Sequence, residues 1–110
     1  MTTETANGKV VNLLKVTLSK SVVANGEEVM ELSFREPTGG DIANVGNPVS
    51  VDFASDPPKI NYDAKAMTQM LAVLATVPPS TIRQLTARDW ETAALLITNF
   101  FLPDPSKISF

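Results

Sequence analysis

The period of apolar and polar positions changes along the chain. From Leu14, apolar Leu14, Val16 and Leu18 alternate with polar Lys15, Thr17 and Ser19, the two-residue period of a strand with one buried face. Met30, Leu32 and Phe34 alternate in the same way with Glu31, Ser33 and Arg35. Between these runs lies Asn25-Gly26, whose tolerance of positive φ suits a tight type I′ turn. Residues 13–36 are therefore predicted to form a β-hairpin, with Met30, Leu32 and Phe34 facing one way.

Glu36-Pro37-Thr38-Gly39-Gly40 ends that hairpin, because Pro cannot donate to a ladder and a Gly pair loses too much entropy inside one. Residues 37–62 read as a Gly/Pro-rich connection. Thr38 or Asp41 can cap a helical turn through Ile42 to Val45, which Gly46 and Pro48 stop. A connection of this length is unusual in a compact domain, so it either carries structure of its own or is a functional mobile segment. Val49, Val51 and Phe53 alternate with Ser50 and Asp52, a candidate third short strand ended by Asp56-Pro57-Pro58.

From Asp63 the period becomes helical: Met67, Met70, Leu71, Leu74 and Val77 recur at steps of three and four, with Asp63 placed as cap. Pro78-Pro79 ends that helix. Ser80 can cap a short helix through Ile82 to Leu85, and Thr86 with Asp89 resembles a capping box opening a longer one. Its stripe of Trp90, Ala93, Ala94, Ile97 and Phe101 is widened by Leu96 and Phe100 and stopped by Pro103 and Pro105. The predicted fold class is α+β in a single domain over residues 1–110. An N-terminal antiparallel β-hairpin, with a third short strand as an option, precedes a C-terminal helical half, residues 63–102, of two main helices and a short one. Residues 1–12 are expected to be a flexible leader and residues 103–110 a loosely held tail.

Composition narrows the chemistry. The 110 residues include 9 Lys plus Arg, 12 Asp plus Glu, no His and no Cys. Disulfides, thiolate nucleophiles, structural zinc and the usual general base are thereby removed. Charges are scattered, with no like-charge run longer than Glu27-Glu28, so no nucleic-acid partner is expected. Apolar stretches are too short to span a bilayer and the polar start lacks a signal-peptide core, so no membrane partner is expected and the protein is read as soluble and intracellular. Glu31, Glu36, Asp41 and Asp89 are the nominal acids, but Asp89 is explained by capping and Glu31 by the solvated hairpin face. Thr38-Gly39-Gly40 lacks the spaced Gly and the Lys of a phosphate cradle and reads as a plain turn. No catalytic, metal or cofactor-binding residue is assigned, and the chain is read as a non-enzyme without cofactors.

Partner contact is the remaining chemistry. Arg35-Glu36-Pro37 is the densest polar signal, and it reads either as structure, with Arg35 pairing a carboxylate or helix end, or as direct contact. Met67, Met70 and Leu74 are either core or an adaptable binding face. The last helix places Leu95, Leu96, Ile97, Phe100 and Phe101 around most of its circumference, more apolar surface than a small hairpin covers, and some of it is expected to meet another chain. The candidate partner-binding residues are Arg35, Glu36, Pro37, Met67, Met70, Leu74, Leu95 and Phe100.

The order of these features resembles the small tail assembly chaperones of contractile-tailed bacteriophages of the Mu-like and P2-like kinds. The resemblance rests on Val16-Thr17-Leu18-Ser19-Lys20, Asn25-Gly26-Glu27, Glu31-Leu32 and Phe34-Arg35-Glu36-Pro37-Thr38-Gly39-Gly40-Asp41-Ile42 in the amino-terminal half. In the carboxyl half it rests on Leu71, Leu74 and Ala75, then Val77-Pro78-Pro79-Ser80, Ile82, Leu85, Asp89 and Phe100-Phe101. It covers residues 14–102, and the connection over residues 46–62, longer than usual, inherits nothing from it. The resemblance implies a chaperone that binds the tape measure protein and keeps it soluble until the tail tube polymerises. It further implies self-association, a frameshift-extended form of the same chain as partner, action in the host bacterial cytoplasm, and absence from the mature virion. A structural tail or baseplate adaptor retained in the particle is the alternative, and a DNA-binding regulator or an enzyme ranks below both.

Overall fold

The structure, a computed structural model, describes residues 2–6 and 9–102, with side chains from Leu14 onward. The elements run β1 (Thr2–Ala6), β2 (Lys9–Ala24), β3 (Glu27–Phe34), α1 (Gly39–Val45), β4 (Val49–Asp52), β5 (Lys59–Tyr62), α2 (Ala64–Ala75), α3 (Pro79–Arg83) and α4 (Ala87–Thr98). A 3₁₀ turn, Asn99–Phe101, follows directly on α4. One sheet has the order β1-β2-β3, and β4 with β5 makes a second, separate one. The class is α+β, as the periods predict.

Antiparallel β2 and β3 turn through Asn25 and Gly26 at φ 52° and 83°, the positive pair a type I′ turn requires. The pairing runs Leu14↔Phe34, Lys15↔Ser33, Val16↔Leu32, Thr17↔Glu31, then shifts to Val22↔Val29. Extra residues of β2 bulge out between these pairs and change which β3 positions face inward. Leu18 and Val22 stay in the core, but Met30 is turned out, 52% exposed, against the expectation that it shares a face with Leu32 and Phe34. Half-buried Val29 packs on the core in its place.

Within the leader read as flexible, Thr2–Ala6 is a strand paired with β2 from Thr2↔Leu13 to Ala6↔Lys9, since backbone ladder bonds need no apolar side chains. The connection over residues 37–62 carries structure of its own: α1, capped by Thr38, and the β4–β5 hairpin. The third strand ends at Asp52, so Phe53 lies outside it. In the helical half Asp63 accepts from the Lys65 and Ala66 N–H groups as expected. Helix α3, however, begins at Pro79 rather than being capped by Ser80, because a Pro at the first position has no orphan donor to satisfy. Residues 103–110, read as a tail, lie outside the described residues.

The core sits between the inner sheet face, Val16, Leu18, Val22, Leu32 and Phe34, and helix residues Met67, Met70, Leu71, Leu74, Ile82 and Ile97. Polar contacts set how these layers meet. Asp89, in the first turn of α4, is buried, and its Oδ2 accepts from Ser19 N–H at 2.9 Å and Ser19 Oγ at 3.0 Å, in the bulge of β2. Thr86 does cap α4, accepting from Asp89 N–H, but the Asp89 carboxylate serves the strand. Val23 is clasped by the α3 end: its N–H donates to Gln84 Oε1 at 2.8 Å, and its carbonyl accepts from Thr81 Oγ1 at 2.8 Å and Gln84 Nε2 at 3.2 Å. Gln84 thus meets β2 as a neighbouring peptide group would.

Removing the Asp89 carboxylate takes the acceptor from the part-buried Ser19 N–H and hydroxyl bonds that join β2 to α4. Asp89→Ala is expected to lower the unfolding free energy by about 1–3 kcal/mol in urea titrations. Thr86→Ala should cost about 1 kcal/mol, and exposed Glu28→Ala less than about 0.5 kcal/mol.

Candidate partner-binding surfaces

The Arg35-Glu36-Pro37 segment leaves β3 and enters α1 within a few residues, and its polar groups are spent on that turn. Arg35 Nη1 and Nη2 donate to Asp41 Oδ2 and Oδ1 at 2.7 and 2.9 Å, a two-pronged pair. Asp41 also accepts from Thr38 N–H at 2.8 Å, while Thr38 Oγ1 accepts from Asp41 N–H at 3.3 Å, completing a capping box. The Arg35 N–H donates to the Leu74 carbonyl at 3.1 Å, tying β3 to the last turn of α2. Arg35 is therefore a joint between β3, α1 and α2. Pro37 is half-buried beside it, and Glu36 is exposed.

The other candidates divide cleanly. Met67 and Met70 are fully buried and Leu74 nearly so, which removes them from any surface; the helical stripe they form is covered by the sheet and the other helices. Leu95 is 68% exposed on the outer side of α4, and Phe100 in the 3₁₀ turn is 38% exposed, while Ile97 and Phe101 are buried. The surplus of the last helix is thus Leu95 and Phe100 with half-buried Leu96.

Two surfaces were not singled out from the sequence. In the β4–β5 hairpin the pairs Val49↔Tyr62 and Val51↔Ile60 put these side chains on one face. Val49 is buried, but Ile60 and Tyr62 are exposed, and Phe53 at the turn is 74% exposed. Tyr62 Oη lies 3.3 Å from Thr98 Oγ1, which fixes the hairpin against the end of α4. The alternation of Ile60 and Tyr62 with Lys59 and Asn61 was a signal that could have found β5. The second surface is a groove of about 440 Å³ walled by Ala64 and Thr68 of α2, Ile82 and Leu85, and Ala87 and Trp90 of α4. Arg83 and Glu91 also line it. Trp90 Nε1 donates to Thr68 Oγ1 at 3.1 Å, bridging the two long helices. No local period could reveal this groove, since its walls come from separate elements.

Residues 15–102 match the family of phage tail assembly chaperone proteins, E, or 41 or 14. The chain belongs to that family. No curated protein and no solved structure gave a match. Membership places this chaperone in tail assembly and accounts for the order of motifs from the β2–β3 hairpin through α4. Among the described residues no helix is long and apolar enough to cross a membrane, and no cluster of acids forms a metal site.

The two structural carboxylates make the chaperone acid-sensitive. Pairing with Arg35, then the Thr38 N–H, holds Asp41 well below the usual carboxylate range against its burial. Burial opposes ionisation of Asp89, but hydrogen bonds from the Ser19 N–H, Ser19 hydroxyl, Thr86 and the Lys20 N–H outweigh it and lower its pKa. Both groups titrate lower when folded than in the unfolded chain, where Asp ionises near about 3.9. Their contribution is complete well above that value and is lost as the pH falls through it towards the folded values. Thermal midpoints followed by circular dichroism should drop steeply below about pH 4. Asp41→Asn/Asp89→Asn should start lower at neutral pH and show a flatter acid limb; a limb as steep as that of the unmodified chain contradicts the assignment.

Proposed function

We propose that this family member is a non-enzymatic holdase for the tape measure protein, keeping its apolar stripes from aggregating until tail tube subunits polymerise around it. The observation that carries the reading is large apolar side chains left in water on a chain of this family whose core is otherwise closed. Leu95 and Phe100 are the contact residues of choice, because they can be covered by a client without opening the core. Arg35 and Pro37 support the scaffold, and Glu36 offers its exposed carboxylate beside them.

In this reading many copies act together on one long client, each holding weakly enough for tube subunits to displace it. Self-association and a frameshift-extended form of the chain belong to the same reading, as does release before the particle is complete in the host cytoplasm.

Co-expression provides the test. The cognate tape measure protein, co-expressed with this chain, should remain soluble and copurify with it. Leu95→Ser/Phe100→Ser should lose that client while its circular dichroism spectrum is retained. An insoluble, uncaptured client defeats the reading. Detection of the chain in purified tails by mass spectrometry would instead favour a retained adaptor.

A further inference from the structure

We propose that the outer edge of β5 pairs with the same edge of a second copy, antiparallel about a two-fold axis, joining the two β4–β5 hairpins into one sheet. Association of copies belongs to the holdase reading above, on which its purpose rests, while the contact itself rests on the strand edge.

The β4–β5 ladder leaves that edge unused. The Asp63 N–H donates to the Pro48 carbonyl at 2.9 Å, so Ser50↔Asn61 and Asp52↔Lys59 are the bonded pairs, and Val49↔Tyr62 and Val51↔Ile60 the unbonded ones. The N–H and C=O groups of Ile60 and Tyr62 therefore point away from β4, and they meet no partner among the described residues. Every residue of β5 is exposed. The outer edges of β4 and β3 suit a copy less well. On β4 the Val49 N–H is already given to Asn47 Oδ1 at 3.0 Å, and Val49 is buried. On β3 Glu27, Glu28 and Glu31 are exposed and the strand holds no cation, so a symmetric partner would bring acids against acids.

The β5 edge is complementary to itself. Only one symmetric register satisfies both outward residues, with Asn61 opposite Asn61 of the second copy and Ile60 opposite Tyr62. Centring on Ile60 instead sets Tyr62 opposite Pro58, which has no N–H, and centring on Tyr62 sets Ile60 opposite Ala64, already in α2. In the Asn61-centred register Ile60 and Tyr62 exchange both backbone bonds with their counterparts. Their side chains, 48% and 39% exposed in the single chain, then cover one another on the face they share with Val49 and Val51. Lys59 falls opposite Asp63, where the backbone is still extended at φ −92° and ψ 103°. Lys59 forms no ion pair among the described residues, and Asp63 caps α2 through Oδ1 alone, so each copy offers the charge the other can use. Both halves of the complementarity lie in this one strand and its exit, which names a second copy as the occupant. Strands this short bury well under the ~1,200 Å² of a lasting interface, so the pairing is reversible and grows as copies are crowded together.

The full chain is tested alone and with co-expressed tape measure protein. Sedimentation over a concentration series should show a reversible monomer–dimer equilibrium. Ile60→Pro removes an N–H that the chain's own ladder does not use, so circular dichroism should be retained while the dimer dissociation constant rises roughly tenfold or more. Lys59→Glu sets acid opposite acid and should weaken the dimer severalfold. The chain has no Cys, so an introduced thiol reports its own position. An unbonded antiparallel pair has Cα atoms about 4.5 Å apart, within disulfide reach. Asn61→Cys should therefore cross-link copies rapidly under mild oxidation, and Ser50→Cys on β4 roughly tenfold more slowly or less. Should Ile60→Pro disturb folding, Lys59→Glu and the cross-linking decide. A chain that stays monomeric throughout the series, a dimer untouched by the folded variants, or equal cross-linking at positions 61 and 50 overturns the pairing. Loss of client from Ile60→Pro, with no dimer of the unmodified chain, assigns the edge to a client strand and likewise overturns it. A dimer sensitive to Ile60→Pro in a chain that captures no tape measure protein removes the holdase reading and leaves the pairing standing.

Discussion

The bulge in β2 imposes the constraint on which the rest of the molecule depends. A strand that leaves its ladder keeps N–H groups that must find acceptors once they are covered. Asp89 supplies one acceptor to both the N–H and the hydroxyl of Ser19, 70 positions earlier in the chain. A few residues further along, on the strand edge, Gln84 Oε1 accepts from the Val23 N–H and Thr81 Oγ1 donates to its carbonyl. Residues 81–89 therefore follow the path of residues 19–23 through directional bonds. Apolar burial holds the layers together but is indifferent to small slides. The hydrogen bonds choose one placement of α3 and α4 on the sheet, and that placement creates the groove beside Trp90.

Much of this was legible in the sequence where the cause is local. The alternation from Leu14, the Asn25-Gly26 turn, the Asp63 cap and the Thr86 cap depend on residues a few positions apart, and each appears where the pattern puts it. The outward turn of Met30 was not legible, because it follows from a bulge whose unpaired donors are met by a distant helix. The Met67 and Met70 stripe was ambiguous for a related reason: a helical period identifies a face without saying what covers it. Leu95 could be read as surplus because its neighbours already filled the inward side of α4. Strand β5 was missed although Ile60 and Tyr62 carry the right period, since the surrounding Gly and Pro residues pointed to a connection.

The Arg35 to Asp41 segment shows how a short polar signature can belong to the scaffold. Its bonds close on themselves and on the end of α2, so β3, α1 and α2 meet at a fixed angle. The large apolar side chains left bare lie on α4, the 3₁₀ turn and the β4–β5 hairpin, and also at Val23 and Met30 of the β2–β3 hairpin and Val73 of α2.

Magnitudes favour that division of labour in the proposed role. Covering one exposed Leu or Phe gives about 1.5–3 kcal/mol at most, and association costs at least several kcal/mol in lost freedom. A single copy with a few such side chains must therefore bind loosely. Copies set side by side along one client gain from effective concentration without any new contact. A polymerising tube needs only to outcompete one weak contact at a time, whereas a single broad apolar patch would hold the client too firmly and would tend to aggregate the empty chaperone. Scattered apolar side chains on a scaffold held by its own polar joints meet both demands, solubility without client and release with it.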